Sequence, residues 1–188
     1  MQNICVFGSS SEKIDKAYLD AATHLGSSLA KRGCTVVFGA GKYGVMGAVA
    51  RGVIAENGAL VGVSPEFFLN TGVLLMNYGE LITMPTMRER KAVMEDKADA
   101  FIICPGGIGT YEEFFEVITL KQLGRHQKPI IIYNLNGYYD PMISMMETGV
   151  EQSFMSDAVH RLYSIAATEQ QVFEQLDNYV AFGYNKYD

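Results

Sequence analysis

Short apolar runs alternate with segments of helical periodicity along the whole chain. Most of the apolar runs are four or five residues long and are bounded by glycine, proline or polar residues, which is typical of buried strands. The predicted strands are 3–7, 35–38, 59–63, 80–84, 100–104, 129–133 and, as a final edge strand, 162–166. The run 100–104 is apolar throughout, as expected of a central strand in a parallel sheet.

Helix signals fill the intervals between these strands. Ser9, with Glu12 three residues later, predicts a capping box, and the apolar residues that follow recur at helical spacing until Gly33 ends the helix. Further helices are predicted from the second glycine cluster to about 56, over 86–97, 110–123 and 141–147, and from a cap at Thr168 to near 179. The segment 65–79 has no clear period and is predicted to be a loop.

This alternation predicts the fold class. Strands that alternate with helices favour an α/β architecture, here a single Rossmann-like domain over 1–188 with a doubly wound parallel sheet and helices on both faces. In such sheets, ligands bind beyond the carboxyl ends of the strands, near the point where the strand order reverses. The loops that follow the first, second and fifth strands are therefore the candidates for a binding site.

The composition narrows the range of partners. Lys and Arg total 15 against 21 Asp and Glu, a net charge of −6 that argues against nucleic-acid binding. Cys5, Cys34 and Cys104 lie in predicted strands without metal-binding spacing, so we expect buried thiols and no metal. The sequence starts without a signal-peptide pattern, and its apolar runs are too short to cross a bilayer. We expect a cytoplasmic protein with no nucleic-acid or membrane partner.

Three glycine-rich loops follow the first, second and fifth predicted strands, and each precedes a helix. They occupy 8–11, 39–44 and 105–110. Glycine allows the backbone to approach a ligand closely, and a following helix N-terminus offers unpaired N–H groups to an anion. Glycines can also serve only to make tight turns between a strand and a helix, which for a single loop is an equal interpretation. Three such loops at one edge of the sheet favour a phosphate site.

The second loop carries Gly39, Gly41 and Gly44 at the spacing of a dinucleotide-binding fingerprint. That fingerprint also needs an acidic residue at the end of the next strand, where this chain has Ser64 followed by Pro65. A nicotinamide-dependent oxidoreductase is therefore disfavoured. A P-loop is excluded because its four-residue spacer and its hydroxyl residue are both missing.

The third loop leads into a helix whose first turn carries two carboxylates, Glu112 and Glu113. A second charged segment, 87–91, begins the helix after the fourth strand, at the same edge of the sheet. Acidic residues in a first helical turn can simply complement the helix dipole, and a run of charges is usually a solvated face. The pattern alone therefore leaves both segments open to a structural or a functional interpretation.

Both segments resemble the motifs of the Lonely Guy (LOG) family, the cytokinin riboside 5′-monophosphate phosphoribohydrolases, many of which were formerly mislabelled lysine decarboxylases. The motifs Pro-Gly-Gly-x-Gly-Thr-x-x-Glu and Met-x-x-Arg-Lys are complete here, at 105–113 and 87–91. The resemblance extends to 7–10, 38–47, 123–129 and the Gly-Tyr-Tyr segment at 137–139, and so covers most of the chain. The longer motif is specific because it combines six fixed identities with a strand-to-helix context.

The resemblance implies roles for individual residues. Arg90 and Glu113 match the family's proposed catalytic pair. The candidate substrate-binding residues are Gly8, Ser9, Gly39, Gly41, Met87, Lys91, Gly106, Gly107, Gly109, Thr110 and Glu112, of which the four within 106–110 match the phosphate-binding loop. The apolar residues that could hold a prenyl group are Phe67, Phe68, Met76, Met84 and Met87. The chain departs from the family pattern at Ala40, where a third glycine is common, at Thr86, where an acid is common, and over 65–79.

The function implied by the resemblance is hydrolysis of the N-glycosidic bond of a purine nucleoside 5′-monophosphate, of the cytokinin or AMP type. The resemblance also implies a homodimer, or an assembly of dimers, and no cofactor. Glu113 would stabilise the cationic ribose or orient water, Arg90 would bind the substrate, and whether Glu112 or Glu113 orients the water stays open. The alternative is a non-enzymatic carrier or sensor of nucleotides or of the molybdenum cofactor. Lysine decarboxylation is disfavoured, because it usually needs pyridoxal phosphate on an active-site lysine and Lys91 shows no distinguishing pattern.

Overall fold

The structure, a computed structural model, describes residues 2–183 as alternating strands and helices. The strands are β1 Asn3–Phe7, β2 Thr35–Phe38, β3 Ala59–Pro65, β4 Glu80–Met84, β5 Ala100–Ile103, β6 Ile130–Tyr133 and β7 Ser164–Ala166. The helices are α1 Lys16–Lys31, α2 Gly44–Ala55, α3 Met87–Lys97, α4 Ile108–Gln122, α5 Asp140–Glu151 and α6 Glu169–Asp177. Short 3₁₀ turns occupy Glu66–Phe68, Leu135–Gly137 and Asp157–Arg161. Among the helices of residues 2–183, none has both the length and the apolar character that crossing a bilayer requires.

All strands pair in parallel, in the order β4-β3-β2-β1-β5-β6-β7. The chain builds outward from β1 in one direction through β4 and then returns to the other side of β1 with β5. The order therefore reverses between β1 and β5, and the carboxyl ends of these two strands flank the crevice where such sheets bind ligands. The predicted doubly wound α/β fold is confirmed.

The core consists of two apolar clusters, one on each face of the sheet. Side chains of β1 alternate between them, because successive residues of a strand point to opposite faces. Ile4 and Val6 belong to the cluster covered by α1, α2 and α6, whereas Cys5 and Phe7 belong to the cluster covered by α3, α4 and α5. Burial on both faces explains why the central strands are apolar at nearly every position.

Local capping chemistry sets several helix ends where the sequence predicted them. Gly33 follows α1 with a φ of +73°, a left-handed conformation that glycine adopts without strain. The Thr86 hydroxyl accepts from the Glu89 amide at 3.2 Å, and the Glu89 carboxylate accepts from the Thr86 amide at 3.1 Å. The two bonds form a capping box. Thr168 likewise accepts from the Gln171 amide at 3.2 Å.

The capping box predicted at Ser9 and Glu12 is wrong, because α1 begins later, after a cap supplied by Asp15. Tertiary contacts hold Ser9 instead. Its amide donates to the Pro105 carbonyl at 3.1 Å, and its carbonyl accepts from the Met46 amide at 3.2 Å. These two bonds join the loop after β1 to the loop after β5 and to the first turn of α2, which follows the second glycine-rich loop. The three glycine-rich loops therefore lie together.

The segment predicted as a loop, 65–79, is largely irregular and lies against the second glycine-rich loop. The Lys42 amide donates to the Val73 carbonyl at 3.0 Å, and the Leu75 amide donates to the Ala40 carbonyl at 2.8 Å. These bonds fix the segment at the carboxyl edge of the sheet, where it forms one wall of the crevice.

Candidate active site

A cavity of about 600 Å³ opens at this edge, where the strand order reverses. The loops after β1, β2 and β5 border it, together with the 65–79 segment and the first turn of α3. The lining residues are Gly8, Ser9, Ser10, Ser11, Gly39, Gly41, Tyr43, Met46, Phe68, Val73, Leu74, Met87, Arg90, Gly107, Ile108, Gly109, Thr110 and Glu113. The structure therefore brings together most of the residues singled out in the sequence. Gly106, Lys91 and Glu112 are not among the lining residues.

Arg90 and Glu113 form an ion pair within this cavity. The Arg90 Nη1 atom donates to Glu113 Oε1 at 2.9 Å, and the side chains are 9% and 11% exposed. Arg90 Nε also donates to the Val63 carbonyl at 3.1 Å, at the end of β3. The guanidinium is therefore fixed between a strand end and α4, so its position depends on α3, β3 and α4 together.

The backbone of Gly39 provides the space that the Arg90 guanidinium occupies. A Cβ atom built on Gly39 would overlap Arg90 Nη2. The φ of Gly39 is not positive, so the position needs glycine for room rather than for backbone freedom. Gly39 was predicted to bind substrate, and its contact with Arg90 gives it a further role that the sequence did not reveal.

The environment of Glu113 alters its acidity. Burial raises the pKa of the Glu113 carboxyl above its ordinary value, and the charge of Arg90 opposes this shift. Carboxyls with shifted pKa values in a cleft are candidates for acid–base chemistry, because they exchange protons closer to neutral pH. Arg90 contributes a guanidinium cation beside this carboxyl.

The N-terminus of α4 faces the cavity without a side-chain cap. Gly107 is its N-cap residue and has no side chain to bond the first-turn amides. Cβ atoms built on Gly107 and Gly109 would meet no atom within 4 Å, so the space beside both backbones is open. Free amides at the positive end of a 15-residue helix suit an anion such as phosphate.

Gly106 has a packing role beside this loop. A Cβ built on it would overlap the Thr110 hydroxyl and lie 2.9 Å from the Ser9 amide. Thr110 is buried and also lines the cavity, so Gly106 allows the loop to close against α4. Its predicted role in substrate binding stays a prediction.

Lys91 and Glu112 lie together between α3 and α4. The Lys91 ammonium forms ion pairs with the carboxylates of Glu112 and Glu116, the second at 2.6 Å. Lys91 is buried by these contacts, whereas the Glu112 side chain is half exposed. A substrate-lining role for either residue stays a prediction, and the contacts indicate that the pair joins the two helices that carry Arg90 and Glu113.

Glu95 extends this cluster and gives it a pH dependence. Burial and the neighbouring Glu116 carboxylate raise the pKa of Glu95 to about 7. A raised carboxyl pKa means that the folded state favours the protonated form, so the free energy of unfolding falls as the pH rises from about 4.5 to about 7.

We expect Glu95→Gln, which mimics the protonated form, to stabilise the protein above pH 7. Allowing for solvent screening of a partly exposed group, the gain at pH 8 is about 1 kcal/mol, or about 2–4 °C in Tm. Thermal unfolding at pH 8 and pH 4.5 checks this, with the exposed Glu80→Gln as the control. A gain of equal size at both pH values would contradict the assignment.

Several lining residues carry no sequence signal. Val73 and Leu74 reach the cavity because Gly41 and Leu74 form an isolated antiparallel bridge. Tyr43 and Met46 reach it from the start of α2. Of the apolar residues that could hold a prenyl group, the lining includes Phe68 and Met87 but not Phe67, Met76 or Met84. A pairing between distant segments has no local pattern, so sequence periodicity could not have found it.

Ala40, where a third glycine is common in the resembling family, has a φ of +59°. An L-residue in this left-handed region costs roughly 1–2 kcal/mol, which explains the preference for glycine at this position. The alanine is fully buried, and its carbonyl accepts the bond from Leu75. At this departure from the family pattern, the alanine thus adopts the left-handed conformation that glycine adopts without strain.

Within residues 2–183, no group of three or more His, Cys, Asp or Glu side chains is arranged to hold a metal ion. Independence from metals stays a prediction.

Comparison with known proteins shows which proteins this chain is similar to. Residues 46–176 match the protein family described as "Possible lysine decarboxylase". A probable cytokinin riboside 5′-monophosphate phosphoribohydrolase from Oryza sativa subsp. japonica is 38% identical over 178 residues, which cover 95% of this chain and 84% of that protein. A cytokinin riboside 5′-monophosphate phosphoribohydrolase from Arabidopsis thaliana is 37% identical over 179 residues, with the same coverage of 95% and 84%.

Solved structures show the same fold. The molybdenum cofactor binding protein of the phototrophic bacterium Rippkaea orientalis superimposes with a TM-score of 0.72. The match covers 94% of this chain and 95% of that protein, at 22% sequence identity. At this identity the likeness shows the architecture alone.

Proposed function

This chain belongs to the Lonely Guy family of phosphoribohydrolases, and from that premise we propose that it hydrolyses purine nucleoside 5′-monophosphates, of the cytokinin or AMP type, to free base and ribose 5-phosphate. The observation that carries the proposal is the buried ion pair between Arg90 and Glu113, 2.9 Å apart in a cavity that also contains the open N-terminus of α4. A phosphate site beside a buried carboxylate is the arrangement that cleavage of a ribosyl phosphate requires.

The phosphate end of the substrate fits the loop at the start of α4. Gly107 and Gly109 offer open backbone, and Thr110 adds a hydroxyl at the same cavity wall. The helix dipole favours the phosphate charge, which compensates for an overall net charge of −6. Anchoring the phosphate places the ribose one helical turn away, beside Glu113.

Glu113 then acts on the ribose. Breaking a bond between C1′ and a purine nitrogen develops positive charge on the sugar, as in other glycoside hydrolysis. A buried carboxylate stabilises that charge strongly, because the surrounding dielectric is low. Water adds to C1′ as the bonding electrons leave with the base, and Glu113, with its raised pKa, accepts a proton from that water. The departing purine nitrogen takes up a proton from solvent, which gives the free base.

Arg90 has two tasks in this scheme. Its charge lowers the pKa of Glu113 against the larger, raising effect of burial, and its guanidinium lies where it can donate to the substrate. It does not supply the proton for the departing base, because an arginine remains protonated at neutral pH.

The base fits the apolar part of the cavity. Tyr43, Met46, Phe68, Leu74 and Met87 line it. Aromatic and methionine side chains suit the flat face of a purine, and they also suit an apolar substituent on it. The volume of about 600 Å³ accommodates either type of nucleotide.

Product analysis tests the proposal. Purified protein is incubated with AMP, GMP, CMP and isopentenyl-AMP, and the products are separated by chromatography. We expect free base and ribose 5-phosphate from the purine substrates, no release from adenosine, which lacks the phosphate, and no effect of a chelator. Binding of nucleotides without release of base from any of them would instead support a carrier. The only support for that alternative is the similarity in fold.

The proposal includes a homodimer. On α4, Ile108 is 87% exposed, and Tyr111 and Phe115 follow at three and seven residues, so they form one apolar stripe beside the cavity. A second copy that covered this stripe would complete the cavity rim. The cytoplasmic location expected from the sequence stays a prediction.

We expect light scattering to give twice the chain mass of 20.7 kDa. Phe115→Ser should reduce this mass to that of a monomer, because it places a hydroxyl in an apolar contact. Phe154→Ser, at a residue 84% exposed and outside α4, serves as the control and should remain a dimer. A dimeric Phe115 variant would show that the stripe is not the interface.

A further inference from the structure

The segment Gly137–Tyr139 has no part in the chemistry proposed above, although it contacts the phosphate loop. The Tyr139 hydroxyl donates to the Cys104 carbonyl at 2.7 Å, and the Tyr138 hydroxyl donates to the Gly106 carbonyl at 2.6 Å. The carbonyl between them, that of Pro105, accepts from the Ser9 amide at 3.1 Å. Three successive carbonyl oxygens ahead of α4 are therefore each bonded to a donor from another part of the chain.

The bond to Gly106 determines the direction of the next amide. In a trans peptide the C=O of one residue and the N–H of the following residue point in opposite directions. Tyr138 borders a separate cavity of about 180 Å³ behind the loop, which Gly106 also borders. Since the Gly106 carbonyl points toward Tyr138, the Gly107 N–H points away from Tyr138. Gly107 borders both cavities and Tyr138 borders only the smaller one, so this direction leads to the main cavity.

This peptide would otherwise have freedom to rotate. It joins two glycines, and glycine accepts backbone angles that other residues do not. Thr110 and Ser9 confine the Gly106 end of the peptide, whereas a Cβ at Gly107 would meet no neighbour, so packing does not hold the Gly107 end. Rotation of the peptide would turn a carbonyl oxygen toward the cavity, where it would repel an anion instead of donating to it.

Tyr138 is itself held firmly. Its ring packs edge-on against Tyr139 with centroids 5.0 Å apart and against Tyr18 at 6.1 Å. The Asn134 side chain accepts from the Tyr139 amide at 2.7 Å and donates to Asp140 at 2.7 Å, which closes the turn that carries both tyrosines. The hydroxyl of Tyr138 therefore has a defined position before any ligand binds.

We propose that Tyr138 is a positioning residue for the anion site: its hydroxyl holds the Gly106–Gly107 peptide so that the Gly107 N–H faces the 5′-phosphate. The inference rests on the proposed function, because that function places the phosphate at this loop. Tyr138 does not touch the substrate and acts through the backbone of the loop.

Tyr138→Phe tests the proposal, since it removes the donor and keeps the ring. We expect the Kd for ribose 5-phosphate, measured by calorimetry on the full chain, to rise about tenfold, the effect of losing one well-oriented bond to a charged group. The KM for AMP should rise by the same factor, and kcat should stay within about twofold. The Gly107 amide resonance, which should shift when phosphate is added to the wild type, should shift less in the variant.

Tyr78→Phe is the matched control, because the Tyr78 hydroxyl donates to the Gly58 carbonyl at 2.8 Å at the opposite end of the sheet. Equal weakening of ribose 5-phosphate binding in both variants, or an unchanged Kd in Tyr138→Phe, would overturn the proposal. A wild type that binds ribose 5-phosphate but releases no base would refute the proposed function. The ratio of the Kd of Tyr138→Phe to that of the wild type would still test the positioning role of Tyr138. A wild type that does not bind ribose 5-phosphate would refute both.

Discussion

Glu113→Gln is expected to lower kcat for AMP by about a thousandfold, the size of effect seen when a preorganised electrostatic contact to a transition state is removed. The glutamine keeps the volume and can still accept from Arg90 Nη1, which now bonds Glu113 at 2.9 Å. It lacks the negative charge that the developing sugar cation needs, and it cannot take a proton from water. Ribose 5-phosphate should still bind, because the phosphate loop is untouched. Initial rates of base release and calorimetry measure the two quantities.

Glu112→Gln is the control for this experiment. Glu112 precedes Glu113 on the same helix, but its side chain is half exposed and pairs with Lys91 away from the lining of the cavity. We expect its kcat to stay within about threefold of the wild type, because a partly exposed ion pair contributes little. A loss of equal size in both variants would show that Glu112 shares the task of orienting water. A near wild-type rate for Glu113→Gln would refute the assignment of the catalytic carboxylate.

Gly39→Ala is expected to lower kcat/KM by about a hundredfold without unfolding the protein. The added methyl group overlaps Arg90 Nη2, so the guanidinium must shift from the position in which it bonds Val63 and Glu113. A displacement of about 1 Å at a reacting centre costs a factor of this order. The backbone itself is not strained, because the φ of Gly39 is not positive.

Gly41→Ala provides the matched comparison within the same loop. A Cβ at Gly41 would meet the flexible end of Met46 at 2.9 Å, and that methyl group can move aside. The kcat/KM of Gly41→Ala should therefore change by less than about fivefold, within the range of a small packing adjustment. If the methyl group acts by displacing the guanidinium, Gly39→Ala should cause little further loss in an Arg90→Met background, since mutations of contacting residues are not additive. Full additivity would count against the contact.

The alternation of strands and helices was readable from the chain because it depends on local periodicity. The apolar run 100–104 became the buried central strand β5, and the caps at Thr86 and Thr168 start their helices as predicted. Such signals act over a few residues, through side chains that bond nearby backbone groups. They were sufficient to locate the edge of the sheet where three glycine-rich loops meet.

The same local rules failed at Ser9 because its partners are distant. A hydroxyl residue three positions before an acid has the pattern of a cap, yet the Ser9 backbone bonds Pro105 in the loop after β5 and Met46 in the first turn of α2. The motif placed Lys91 and Glu112 among the substrate-binding residues, which stays a prediction, and did not reveal that the two side chains pair with each other between α3 and α4. A motif records which residues occur together and does not record the direction of each side chain.

The amino-acid sequence was therefore enough to predict the parallel sheet, from periodicity, and the family, from contiguous motifs. It also gave the pairing of Arg90 with Glu113 as a hypothesis, because each residue lies in one of those motifs. Folding in three dimensions settled the rest: the room that Gly39 leaves for a guanidinium, the wall formed by Val73 and Leu74, and the hydroxyl of Tyr138 behind the phosphate loop. These features depend on contacts between segments separated by about 30 residues or more, and such contacts exist only after the sheet has brought its carboxyl ends to one edge.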